Sequence, residues 1–301
     1  MLSFRFFRCD ACILSMNMIE YPKMEMVMGR IAIIGLGIIG ASLARSFKRA
    51  GFSVDGFDLN PETVDYALKS EYIDGVAEKI GDYESVFLAI PPKAAMALLD
   101  SECFRDGAFV ADICGVKACL EEKVYSKKRN YRYVGLHPMA GRETSGIKSS
   151  SATLFSGANL VITFCDKTDK TALEEARDYA KALGFGKIVE CSALEHDKKI
   201  ALTSQLAHIV SNAYVKSEQV PHCEGFTGGS FQDMTRIAGV DEQMWTELYM
   251  LNREPILEEL RGLIDALGVY ERAIEEGNED ALRAALAEGK TIREKIKRKN
   301  D

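Results

Sequence analysis

A chain of 301 residues is long for one domain and comfortable for two, and roughly 75% of an unfolded surface of this size can be buried on folding. Against 45 acidic residues stand 38 basic ones, a formal net charge of −7, and no basic stripe with interleaved aromatics appears, which argues against nucleic acid and for a small-molecule partner. No apolar stretch reaches the ~20 residues needed to span a bilayer, and the eight cysteines, with no signal-peptide cleavage pattern, read as reduced thiols of a cytoplasmic protein.

Residues 1–28 form an aperiodic segment punctuated by Met16, Met18, Met24, Met26 and Met28. They are expected to be a poorly ordered extension, with Met28 a possible true start ahead of the first strand. Cys9 and Cys12 make a single C-x-x-C. Without a second pair or a surrounding strand-helix unit they predict neither a metal site nor a redox centre.

Residues 29–58 then read as the opening of a dinucleotide-binding unit. A short apolar run, Ile31-Ala32-Ile33-Ile34, leads into Gly35-Leu36-Gly37-Ile38-Ile39-Gly40, a helical stretch, a second run ending Val54-Asp55-Gly56-Phe57, and Asp58. Gly35 allows a tight turn off the strand, Gly37 leaves room for a pyrophosphate, and Gly40 lets the helix pack closely on the sheet. The helix N-terminus offers free N–H groups to the phosphates. Asp58 can accept hydrogen bonds from the adenosine ribose and repels a 2′-phosphate, which favours NAD over NADP.

After Pro61 opens a helix, apolar runs at 85–90, 108–112, 131–136 and 159–164 alternate with helical patterns up to residue 191. Such alternation predicts an α/β, Rossmann-type domain over 29–191, a mostly parallel sheet covered on both faces, with ligands beyond the strand C-termini. His137 follows directly on the third of these runs and so stands at the rim where the nicotinamide end would lie. A neutral imidazole there suits abstraction of a hydroxyl proton as hydride leaves the same carbon.

From residue 192 to 301 the pattern becomes helical. Ser204, His208, Ser211 and Asn212 form a polar stripe on a helix over about 194–218, facing either water or a cleft. A glycine-rich loop from Gly225 to Gly229 leads to Arg236, which could hold a carboxylate bidentately or sit in a surface ion pair. Ile256, Leu260, Leu263, Ile264 and Leu267, then Leu282, Ala285 and Leu286, recur at helical spacing. More apolar stripe than one small domain hides predicts an all-helical dimerisation domain and a homodimer, the alternative being a core of the domain's own.

The phosphate turn, His137-Pro138-Met139-Ala140-Gly141 with Glu143 and Ser145-Gly146, Glu195-His196-Asp197, Ala207-His208, and Asp233-Met234-Thr235-Arg236-Ile237-Ala238 with Trp245 together resemble the prephenate or arogenate dehydrogenase family, in order, from about residue 29 into the final helices. The resemblance implies that a cyclohexadienol carrying a ring carboxylate gives hydride to NAD while carbon dioxide leaves and the ring becomes aromatic, a step toward tyrosine. It implies His137 as base for the ring hydroxyl, Arg236 on a substrate carboxylate, His208 lining the pocket, Glu143 gating it with Arg142 beside it, and His196 in support. Prephenate is favoured over arogenate because His208 and Arg236 supply cationic or donating groups. No module is expected outside 29–301 for amino-acid regulation or chorismate mutase activity, so any tyrosine inhibition would act at the active site.

One departure stands out. Asp112-Ile113-Cys114-Gly115-Val116-Lys117 carries Gly115, grouped here with the cofactor-binding positions, where the family has the serine that orients the histidine. A water or another hydroxyl is expected to take that contact, and Cys114 to be a packing residue. Two other readings compete. A 3-hydroxy-acid dehydrogenase would place a lysine on the first helix of the second domain, where Lys198 and Lys199 lie near, and an NAD-sensing protein that has lost catalysis would explain Gly115.

Overall fold

The computed structural model describes residues 29–300 apart from 102, 142 and 143. The N-terminal segment with its C-x-x-C, and Arg142 and Glu143, lie outside the described residues.

Eight strands make one sheet: β1 (Ile31–Ile34), β2 (Val54–Phe57), β3 (Gly75–Val76), β4 (Ser85–Leu88), β5 (Phe109–Asp112), β6 (Arg132–Met139), β7 (Asn159–Thr163) and β8 (Lys187–Cys191). Their order is β3-β2-β1-β4-β5-β6-β7-β8, and every pair is parallel except β6 with β7. The first six follow the doubly wound order, whose crevice opens between β1 and β4, where the winding reverses.

Side chains alternate between two cores. Ile31, Ile33, Phe87 and Phe109 face α1 (Ile38–Arg49), α2 (Pro61–Lys69) and α5 (Lys170–Ala182), while Ala32, Ile34, Val86, Leu88 and Val110 face α3 (Pro92–Asp100) and α4 (Ala118–Tyr125). This is the period-2 pattern of strands buried on both sides, and it explains why those runs are continuously apolar. The first core is aromatic at its centre. Phe47 lies 4.9 Å from Phe87 and 5.5 Å from Tyr179 between ring centroids, and the Tyr179 hydroxyl is satisfied by Ser85 Oγ at 2.7 Å.

Two strands escape the apolar-run criterion. β3 has two residues, and β8 is an edge strand whose Lys187 and Glu190 are exposed. A third difference concerns His137, which the sequence puts just after a strand. β6 continues to Met139, because antiparallel β7 pairs His137 with Val161 and Pro138 with Leu160, while β5 stops opposite Gly135. His137 is therefore inside a strand that overhangs its parallel neighbour.

The second half is helical: α6 (Ala193–Ile200), a π-helical segment (Ala201–Leu206), α7 (Ala207–Tyr214), α8 (Gly229–Thr235), α9 (Glu242–Leu251), α10 (Arg253–Glu275) and α11 (Glu279–Asn300). The expected single helix over 194–218 is thus widened at its middle and ends at Tyr214. α10 and α11 are joined around Gly277, whose φ of 63° suits glycine. Along them Ile264, Leu267, Ile274 and Leu286 stay more than half exposed, and α10 buries only Ile256 and Ala273. No helix among the described residues is long and apolar enough to cross a membrane.

Candidate active site

The glycine turn leaves open space in front of the α1 N-terminus. Gly35 has φ 92°, and a Cβ there would meet the Ala89 carbonyl oxygen at 2.3 Å; one at Gly40 would fall 1.8 Å from the Gly35 oxygen. A Cβ at Gly37 would meet nothing within 4 Å, so the space in front of α1 is open. Gly37 caps α1 without a side-chain bond, and the first turn carries no acid, which leaves its N–H groups for an anion. Leu36 is buried, and Ile38 and Ile39 are half-buried. The Leu36 N–H donates to Asp58 Oδ2 at 2.8 Å and the Asn60 N–H to Oδ1 at 2.9 Å, so the loop itself aims the Asp58 carboxylate.

Beyond the overhanging end of β6 lies a chain of three ionisable groups. His137 Nδ1 is 2.8 Å from His196 Nε2, and His196 Nδ1 is 2.7 Å from Asp197 Oδ1. Asp197 is fixed independently: its Oδ1 accepts the Lys117 N–H and its Oδ2 the Ala118 N–H, both at 2.9 Å, at the start of α4. A carboxylate accepts only, so His196 donates from Nδ1 and its Nε2 becomes the acceptor for His137 Nδ1–H. His137 is left with an unprotonated Nε2. A Cβ at Gly115 would lie 3.9 Å from that atom and 3.7 Å from Leu248 of α9, ordinary contact distances.

α9 ties this point to the helical half. Glu247 Oε1 accepts the Lys93 N–H at the start of α3 at 2.7 Å, Leu248 reaches toward Gly115, and Trp245 lies 4.0 Å from His208 between ring centroids. His208 Nδ1 donates to the Ser204 carbonyl at 2.9 Å. The polar stripe does not simply face water: Ser211 Oγ donates to the Met234 carbonyl at 2.7 Å and Asn212 Nδ2 to the Ala238 carbonyl at 3.1 Å. These two bonds bracket Arg236, the exposed C-cap of α8, and hold its segment on α7.

Against family models, residues 43–189 match the nucleotide-binding domain of prephenate dehydrogenase and residues 192–288 its dimerization domain. The chain belongs to the prephenate dehydrogenase family. It is 30% identical to a prephenate dehydrogenase of Lactococcus lactis subsp. cremoris, over 89% of this chain and 77% of that one. A cyclohexadienyl dehydrogenase of Zymomonas mobilis subsp. mobilis is 28% identical over 91% and 98% respectively. The prephenate dehydrogenase from A. aeolicus, solved in complex with hydroxyphenyl propionate and NAD+, superposes with a TM-score of 0.81 at 28% identity, covering 91% of this chain and all of that one.

Within this prephenate dehydrogenase family fold, the residues singled out from sequence fall into three groups. His137, His196 and Gly115 meet at one point; Gly35 to Gly40 and Asp58 lie together at the turn before α1; His208 and Arg236 sit on the helical half, where His208 stacks near Trp245 of α9 and the Arg236 segment is held on α7. Sequence reasoning did not single out the fully buried Asp112–Lys117 pair at 2.5 Å, or Leu248 and Asn252. The only signal for the pair was its place in the departing Asp112-to-Lys117 run. Cys114 is buried, and burial pushes its thiol well up, which suits packing rather than nucleophilic attack.

Burial holds His137 well below the ordinary histidine range, helped by His196 and Lys117, and burial likewise lowers His196 although Asp197 opposes it. In the folded protein both stay neutral at a pH where the histidines of an unfolded chain begin to take up protons. Stability from these two groups is complete above about pH 6.5 and declines below it, by up to about 1.4 kcal/mol per pH unit for each. Thermal melts over this range are expected to fall on the acid side, and less steeply in a His137→Asn variant; parallel curves would show that His137 does not contribute.

Proposed function

We propose that this protein carries out the NAD-dependent oxidative decarboxylation of prephenate to 4-hydroxyphenylpyruvate. The single observation carrying this reading is the Asp197–His196–His137 chain, which leaves an acceptor nitrogen at the sheet rim, beyond the strand ends flanking an open phosphate cradle. Gly35 to Gly40 would hold the pyrophosphate, Asp58 the adenosine ribose, and Gly115 would border the nicotinamide. When bound, NAD accepts hydride from the hydroxyl-bearing ring carbon. His137 Nε2 takes the hydroxyl proton, the carbon–carboxylate bond breaks, its electron pair completes the aromatic ring as carbon dioxide departs, and Nε2 returns the proton to the phenolate oxygen of the product.

Arg236 would hold a substrate carboxylate, with His208, fixed between Ser204 and Trp245, lining the pocket. Glu143 would gate it, with Arg142 beside it. Donation from Arg236 matches the pyruvyl group of prephenate better than the ammonium of arogenate, the Nδ1–H of His208 being taken up by the Ser204 carbonyl. The exposed apolar face of α10 and α11 and the match to a dimerization domain support a homodimer. The test is purified protein with NAD and either compound, following NADH absorbance. Turnover with prephenate ahead of arogenate is expected; silence with both overturns the reading and favours a nucleotide sensor.

Gly115 gives a second test. Because His137 is already held through Nδ1 and a serine side chain meets only ordinary contacts, Gly115→Ser is expected to change kcat by less than about threefold, general acid–base residues as a whole being worth about 10²- to 10⁴-fold. A severalfold rise in initial rates would mean that His196 orients the ring poorly and a hydroxyl at 115 is wanted.

A further inference from the structure

Asn252 occupies the corner between α9 and α10 and is 3% exposed. Its Nδ2 donates to the Asp197 carbonyl oxygen at 2.9 Å and to Gln205 Oε1 at 2.6 Å. Gln205 is 2% exposed, and its own Nε2 has no partner among the described residues. Burying an unsatisfied amide donor destabilises the fold, and an apolar pair would fill this space without that penalty. What the amides add is direction: a donor aimed at one particular carbonyl.

That carbonyl belongs to the residue that anchors the imidazole chain. Asp197 is gripped at both ends, its carboxylate by the Lys117 and Ala118 N–H groups of the nucleotide-binding half and its carbonyl by Asn252 of the helical half. The backbone widens into the π-helical segment immediately afterward, at Ala201–Leu206, and the extra residue per turn brings Gln205 to face Asn252. Without Asn252, Asp197 keeps its carboxylate contacts and its carbonyl keeps the Ala201 N–H of its own helix, but the tie to the α9–α10 corner is lost, so the end of α6 can shift against that corner and His196 with it. Misplacement of a reacting group by about 1 Å can cost 10²-fold in rate.

We propose that Asn252 is a positioning residue for the reaction: by holding the Asp197 carbonyl it keeps His196 in register with His137 and so fixes which nitrogen of His137 faces the substrate. This rests on the general-base role given to His137 above. It also makes the mouth of α10, the helix with the exposed apolar face, a direct support of the site.

The test uses the full chain with Asn252→Leu, which keeps the volume and removes both donors, and Asn252→Asp, which keeps the shape and offers only acceptors. In each, kcat is expected to fall at least about tenfold while the Kd for NAD by calorimetry stays within about twofold, since the cradle is untouched. The chain has four histidines, so their ring nitrogens can be assigned by NMR one substitution at a time. Wild type is expected to show His137 as a single Nδ1–H tautomer and the variants a mixture. If Asn252→Leu does not fold, Asn252→Asp decides by the same criteria. Folded variants with wild-type kcat, or a lost rate with the tautomer of His137 unchanged, overturn the proposal. A wild-type protein inactive on both substrates would instead overturn the functional reading, while the histidine spectra would still report whether Asn252 controls the ring.

Discussion

Replacing His137 with asparagine is expected to lower kcat by about 10³-fold while leaving the Kd for NAD within about threefold, the middle of the range for removing a general base. Asparagine is the informative choice. Its amide nitrogen can still donate toward His196 Nε2, the contact that His137 Nδ1 makes at 2.8 Å, so the overhanging end of β6 keeps its support. No atom of the amide has the basicity of an imidazole. Steady-state kinetics with prephenate and calorimetry with NAD check the two halves of the expectation separately. Comparable losses in both would make His137 a structural residue of the strand.

The largest expected effect on stability lies beneath that site. Asp112 Oδ1 accepts from Lys117 Nζ at 2.5 Å and from the Cys114 N–H at 2.8 Å, and Oδ2 from the Tyr133 hydroxyl at 2.6 Å, all out of contact with solvent. Asp112→Leu would leave a buried ammonium with no counter-charge and two further donors without an acceptor. A loss of about 3–5 kcal/mol is expected, a large part of the 5–15 kcal/mol typical of a folded domain. Adding Lys117→Met should recover most of it, because a buried ion pair and a well-packed apolar pair differ little in net stability. Denaturant unfolding of the single and double variants checks both statements. A single variant as stable as wild type would mean that the lysine finds water or another partner.

How legible each part was follows from the distance over which it is determined. The phosphate turn could be read from its residues because strand, glycines and helix are contiguous, and each glycine answers a local demand: a positive φ at Gly35, a backbone oxygen against Gly40. The central strands were equally plain, since burial on both faces makes them continuously apolar. β8 was not, because an edge strand exposed at Lys187 and Glu190 reads much like a loop. The position of His137 was read one step short, since only the antiparallel partner β7 prolongs β6 past Gly135.

By itself, then, the order of residues determined the nucleotide-binding half, the change to helices after 191, and membership of the family. Those depend on periodicity and on short-range backbone geometry. Tertiary structure alone decided how the imidazoles are held: His137 and His196 are 59 positions apart, Asn252 and Asp197 are 55 apart, and hydrogen bonds of this kind are set by where two elements come to rest. No local pattern encodes such a meeting, because a histidine on a strand and an asparagine at a helix corner are each compatible with many surroundings until the sheet and the helices pack.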